Sequence, residues 1–172
     1  MAMVLIEENN KYQINCSGAV SATSEIHELY NRLCASILSD VDFFIEEKDK
    51  FIFVEYKNSC IKEAANSDAF LPSDDKTIRK IARKFYDSTF YLRLKMKEGT
   101  KPLDYVYILE YPKGDSVTRK AIRNKISNYL PFSLQEELSA KKPLIEDFQV
   151  LSIAEWNEKY QDYPLTPLCP PA

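Results

Sequence analysis

The chain has only three glycines, Gly18, Gly99 and Gly114, among its 172 residues. A glycine-rich phosphate loop needs several within one short turn, so neither a Walker motif nor a dinucleotide fingerprint is present. Histidine is scarcer still, with His27 alone, and no nucleophile motif surrounds Cys16, Cys34 or Cys60. A Cys–His hydrolase, whose partners meet in space rather than in sequence, is therefore the weakest of the enzymatic readings. The four cysteines, the last of them Cys169, are widely separated and include no CxxC pair. That spacing signals neither a zinc site nor a disulfide framework, and reduced thiols are the expectation. A haem or iron–sulfur centre has no ligand cluster to support it. No apolar run approaches the roughly 20 residues that span a bilayer. The first residues, Met1-Ala2-Met3-Val4-Leu5-Ile6-Glu7-Glu8, lack the basic, apolar, cleavage-site order of a leader, and the expectation is a cytoplasmic protein with no membrane partner.

What remains is an ordinary globular composition, 45% hydrophobic and 28% charged, at a length that suits one domain with a substantial core. The expected division is a single domain over 1–163 and a Pro-rich tail over 164–172. The net charge of −3 argues against indiscriminate binding to nucleic acid, yet the charge is uneven. Residues 76–125 hold fourteen Lys and Arg against five Asp and Glu, while the rest of the chain is strongly acidic. Such asymmetry fits a polyanion partner, and equally a solvated helical face neutralised by neighbouring acids.

The most informative stretch is Asp40 to Ser59, two apolar runs joined by Glu47-Lys48-Asp49-Lys50. Phe, Ile and Val dominate both runs, which predicts a β-hairpin. A two-residue loop at Lys48-Asp49 pairs Phe44 with Phe53, Asp42 with Glu55 and Asp40 with Lys57. Alternation then puts Phe51, Phe53, Glu55 and Lys57 on one face and Ile52, Val54 and Tyr56 on the other, so the second strand is expected to be covered on both sides. Like charges directly opposed destabilise a sheet. A divalent cation held by Asp42 and Glu55 would offset the repulsion, since Mg²⁺ is often bound by one or two carboxylates plus waters and phosphate oxygens. The bland alternative is a strand end running into solvent, where these charges merely cap the sheet.

Asp42, twelve residues, then Glu55-Tyr56-Lys57 after an apolar strand resembles the active-site hairpin of the PD-(D/E)XK nuclease superfamily, and in length and apolar pattern that of the archaeal Holliday-junction resolvases. The likeness covers about twenty residues, and Val41 stands where many members have Pro. It implies a mixed central sheet flanked by helices, the restriction-endonuclease-like α/β (α+β) architecture. It also implies Mg²⁺ or Mn²⁺ held by Asp42, Glu55 and the Tyr56 carbonyl, with Lys57 positioning or activating water. An acid on the first helix often joins such a site, and Glu25 is the better candidate over Glu28, since it sits nearer the apolar stripe. A plain first-turn acid favourable to the helix dipole is the other account of Glu25.

Along the chain, residues 3–7 and 11–16 read as short strands around a Glu8-Asn9-Asn10 turn, and 18–23 as loop. Ile26, Leu29, Tyr30, Leu33 and Ile37 predict a helix from Ser24 to about Ser39. The family usually places a strand between this helix and the Asp-bearing strand. Either the helix is shorter, with 34–38 extended, or the N-terminal strands fill that position. The clearest helix spans 76–97, capped by Asp74 or Asp75, with Lys76, Arg79, Lys80, Arg83 and Lys84 away from its apolar stripe and Arg79, Lys80, Arg83 and Lys84 as candidate phosphate contacts. A strand at 104–111, a helix at 116–129 stopped by Pro131, a short helix or loop at 136–143, a strand at 148–153 and a helix around Trp156 follow. The expectations are thus a metal-dependent DNA nuclease, in a form that allows a homodimer; a catalytically inactive nuclease-like module for nucleic-acid binding or assembly; or an interaction protein whose charged faces are simply solvated.

Overall fold

The computed structural model describes residues 3–34, 37–60, 70–95, 101–112 and 114–168. Its centre is a five-stranded mixed sheet of β3 (Ser21–Thr23), β4 (Phe43–Glu46), β5 (Phe51–Asn58), β6 (Leu103–Glu110) and β7 (Asp147–Leu151), in that spatial order. β3 and β5 both run antiparallel to β4, and β5, β6 and β7 are parallel. The α/β class follows directly, because the parallel connections are made by α2 (Asp75–Lys95) and α3 (Ser116–Ser127). A small antiparallel sheet of β1 (Val4–Ile6), β2 (Tyr12–Asn15) and β8 (Leu165–Pro167) forms a second layer.

The expected hairpin register is present: Phe44 pairs with Phe53 and Ile45 with Ile52. So is the two-sided burial. Phe51 and Phe53 pack under α2 with Ile81 and Phe85, while Ile52, Val54 and Tyr56 pack on the far side with Ile14 and Trp156. The far side is closed by α5 (Ile153–Lys159), whose start carries a capping box between Ser152 and Glu155, and Trp156 Nε1 donates to the Tyr163 carbonyl at 2.7 Å. Among the described residues no helix is long and apolar enough to cross a membrane.

Three expectations need correction. Residues 18–23 are not all loop, since Ser21–Thr23 is the edge strand beside β4, while the two N-terminal strands expected at 3–7 and 11–16 pair in the small sheet. The three small residues of β3 leave too short a pattern to read, and the strand is fixed by its neighbour, with Ser21 Oγ donating to Glu46 Oε2 at 2.8 Å. The first helix, α1 (Ile26–Cys34), begins after Ser24 and ends well before Ser39. The chain beyond it is claimed by α2 instead: Arg83 Nη2 donates to the Ile37 carbonyl, Ser39 donates to Asp87, and the Val41 amide donates to Ser88 Oγ. The short helix α4 spans Phe132–Glu137, earlier than expected, and Gln135 reaches forward to bond the Leu144 and Ile145 amides. The Pro-rich tail is extended near its start, where Leu165–Pro167 pairs with β2. Asp74 caps α2 as expected, accepting from the Thr77 amide at 2.8 Å; Met96, Lys97, Gly99, residues 61–69 and Cys169 onward lie outside the described residues.

Candidate active site

Asp42 immediately precedes β4, and its Oδ2 accepts a 2.6 Å hydrogen bond from the Tyr56 amide on the neighbouring strand. This bond anchors Asp42 at the end of the hairpin beside Glu55. Glu55 lies on the face covered by α2, 6% exposed, and the parallel register of β5 with β6 sets Tyr107 next to it. From the helix above, the Lys84 ammonium donates to both oxygens of Glu55, at 2.8 and 2.7 Å, and lies 3.5 Å from Asp42 Oδ1. Two desolvated carboxylates require a cation, and here a lysine supplies it.

The electrostatics follow from that crowding. Burial, then the Asp42 carboxylate, push the Glu55 carboxyl up to about 8, against the opposing pull of Lys84. Burial also raises Asp42, with Lys84 and the Tyr56 amide opposing. Burial disfavours the Lys84 ammonium, but Glu55 and Asp42 together outweigh it and hold the group protonated beyond the ordinary lysine range. Two carboxyls facing one ammonium titrate as a unit, and the surplus negative charge makes one of them hold its proton far longer than a free side chain does.

The group opens on a cleft of about 460 Å³ lined by Asp42, Glu55, Lys57, Lys80, Lys84 and Tyr107, among others. Lys57 is exposed at its rim, 5.5 Å from the centre of the Phe70 ring, and has no carboxylate partner among the described residues. Tyr56 contributes its backbone, because its ring packs on the opposite face, 5.6 Å from that of Tyr12. Of the four basic residues expected to face phosphates, Lys80 lines the cleft and Lys84 is tied to the carboxylates. Arg79 lies over the Tyr129 ring and Arg83 is held by Asp87 and the Ile37 carbonyl, so neither lines the cleft. Lys76, four residues before Lys80, does. Spacing of four on one helix face carries this division: 76, 80 and 84 share a side that 79 and 83 do not.

Glu25 sits exposed before α1 and lines neither this cleft nor its neighbour. That neighbour, about 260 Å³, shares Asp42 and is lined by Glu8, His27, Glu28 and Asp40. Asp40 meets His27 Nδ1 at 3.1 Å rather than Lys57, because the hairpin ladder ends at Phe43 and Val54. Glu7 and Glu8 come from the β1–β2 turn. The Glu7 carboxylate is committed to that turn through the amides of Asn9 and Lys11, whereas Glu8 is exposed and close enough to help raise Asp42. Sequence reasoning missed Tyr107, whose hydroxyl is buried in the cleft wall without a hydrogen-bond partner among the described residues. Its signal, alignment with Glu55, appears only once β5 and β6 are known to be parallel neighbours.

The donor set suits a hard divalent cation. Among the described residues no three His, Cys, Asp or Glu side chains converge as a metal-binding group. Two buried carboxylates already gathered around one positive charge are the sparse oxygen set that Mg²⁺ accepts alongside water and phosphate. No protein-family model, curated protein or solved structure matches the chain.

Proposed function

We propose that the cleft is the active site of a metal-dependent nuclease acting on DNA, with the hairpin chemistry of the PD-(D/E)XK nucleases. The observation that carries this reading is the pairing of Asp42 and Glu55 at the cleft floor, latched through the Tyr56 amide, with Lys57 two residues beyond Glu55 on the same strand. Asp42, Glu55 and the Tyr56 carbonyl would hold Mg²⁺ or Mn²⁺. The bound ion would supply charge stabilisation at phosphorus and acidify water at neutral pH.

The chain's own groups divide the remaining work. Lys57, at the rim with no carboxylate partner among the described residues, is available to orient or deprotonate the attacking water. Lys76 and Lys80, exposed along one side of α2, draw the phosphodiester backbone into a cleft whose other wall carries Glu8. The Tyr107 hydroxyl, unpartnered in the wall among the described residues, is available to donate to a water or phosphate oxygen. The test is incubation with single-stranded, duplex and branched DNA in Mg²⁺ or Mn²⁺. Metal-dependent cutting lost in Glu55→Ala and Lys57→Ala supports the reading; cutting that persists in both variants refutes it.

One observation favours a second reading. Lys84 already supplies the carboxylates with a counter-charge, as it would in a nuclease-like module that binds nucleic acid or a protein without catalysis. Salt-sensitive DNA binding with no cutting in either metal selects that module.

A further inference from the structure

We infer that the Lys84 ammonium is the resident counter-ion of the Asp42–Glu55 pair and that a divalent cation enters the centre by displacing it, so that Lys84 sets the metal affinity of the site. The inference rests on the metal-centre reading of the same cleft.

Lys84 has three N–H donors, and three carboxylate oxygens lie around it: both oxygens of Glu55 within 2.8 Å and Asp42 Oδ1 at 3.5 Å. The fourth oxygen of the pair, Asp42 Oδ2, accepts from the Tyr56 amide. Every carboxylate oxygen of the pair is therefore already committed. A cation shared by the two side chains needs the space between them, and the ammonium stands in it. Lys84 and an ion at metal–oxygen distances of about 2 Å cannot occupy that space together. Mutual repulsion between the two cations would separate them even with room to spare.

The lysine is also built to leave. Its charge sits on a four-carbon stem rooted on α2, and its side chain is 15% exposed, so the path out of the pair opens on the cleft. Lys80 lies one helical turn back on the same face. In the metal-free protein the Lys84 ammonium is engaged by the carboxylates, through two hydrogen bonds to Glu55 and an ion pair to Asp42. After displacement its three donors are free in the cleft that also holds Lys57 and Lys80.

The experiment titrates the EDTA-stripped full chain with Mn²⁺ by calorimetry, comparing wild type with Lys84→Met and Lys84→Arg, each checked for folding by circular dichroism. The expected result is at least tenfold tighter Mn²⁺ binding by Lys84→Met, and no tightening by Lys84→Arg, which keeps a cation between the carboxylates. A second measurement needs no variant: amine-selective acetylation of wild type, read at Lys84 by mass spectrometry with and without Mg²⁺. Labelling of Lys84 should rise severalfold when metal is added. Wild-type binding with Lys84→Met equal or weaker, or metal binding with unchanged Lys84 labelling, overturns the inference and leaves the metal centre standing. Absence of Mn²⁺ binding in all folded proteins overturns both.

Discussion

Replacing Glu55 by Gln is expected to make the metal-free protein more stable at neutral pH while removing a side chain on which the proposed activity depends. In the fold, burial and the Asp42 carboxylate move the Glu55 carboxyl from its ordinary 4.5 up to about 8. The folded state therefore binds this proton more tightly than the unfolded chain. Stability from the group is fully present below about pH 4.5 and is lost as pH rises through about 8. One proton is worth a little over 1 kcal/mol for each pH unit, so roughly 3 kcal/mol disappears between about pH 5.5 and about pH 7.5. Asp42 and Asp40, also raised by burial, act with the same sign. Glu46, lowered by its hydrogen bond from Lys101, loses its contribution only as pH falls below the ordinary carboxylate range, outside that interval. With a urea slope of about 2 kcal/mol per molar, the wild-type midpoint in EDTA drops by about 1.5 M across the interval. The glutamine amide of the variant cannot ionise and still offers Lys84 an oxygen, so the Glu55→Gln midpoint falls less steeply than wild type and exceeds it at about pH 7.5. A wild-type midpoint that does not fall, or a Glu55→Gln profile as steep as wild type, refutes the reasoning.

Tyr107→Phe deletes a buried hydroxyl that has no partner among the described residues. Its urea stability is expected to equal wild type or exceed it by up to about 1 kcal/mol, while metal-dependent cleavage falls. The double variant Lys76→Gln/Lys80→Gln removes two exposed cations from the cleft wall. Duplex binding measured by fluorescence anisotropy should weaken, and the slope of log affinity against log salt should become shallower by about 2.

The parts of this fold legible in the sequence are those where one local pattern had one solution. A two-residue loop at Lys48-Asp49, taken without a Gly or Asn to fix the turn, gives the pairing of Phe44 with Phe53 that the fold contains. The stripe through Ile78, Ile81, Phe85 and Leu92 forms the buried face of α2. Ser21–Thr23 was illegible because three residues carry no period and β4 alone makes them a strand. The shortened α1 was illegible for a related reason. Ile37 continues the helical spacing, but the polar groups of the following residues are satisfied by Arg83, Asp87 and Ser88, more than forty positions away in sequence. At the site, Asp42 and Glu55 were readable from hairpin geometry, whereas Glu8 and Tyr107 arrive through strand order, which no spacing within the hairpin encodes.

Lys84 shows why a basic helix face is ambiguous until its neighbours are known. By sequence it belongs with Arg79, Lys80 and Arg83, four cations on the polar side of one helix. In the fold Arg79 covers an aromatic ring, Arg83 fastens the segment after α1, Lys80 faces the cleft, and Lys84 turns down onto two carboxylates. The last placement answers a requirement that exists before any ligand is bound. Asp42 and Glu55 sit where water cannot hydrate them fully, and a chain that buries them without a cation must instead protonate them or open the cleft. Taking the cation from α2 lets the sheet and helix close on each other while the carboxylates remain a recoverable ligand pair. The same arrangement makes the proposed catalytic state and the metal-free state compete for one position, so the stability of the empty protein and its affinity for metal are set against each other through a single side chain.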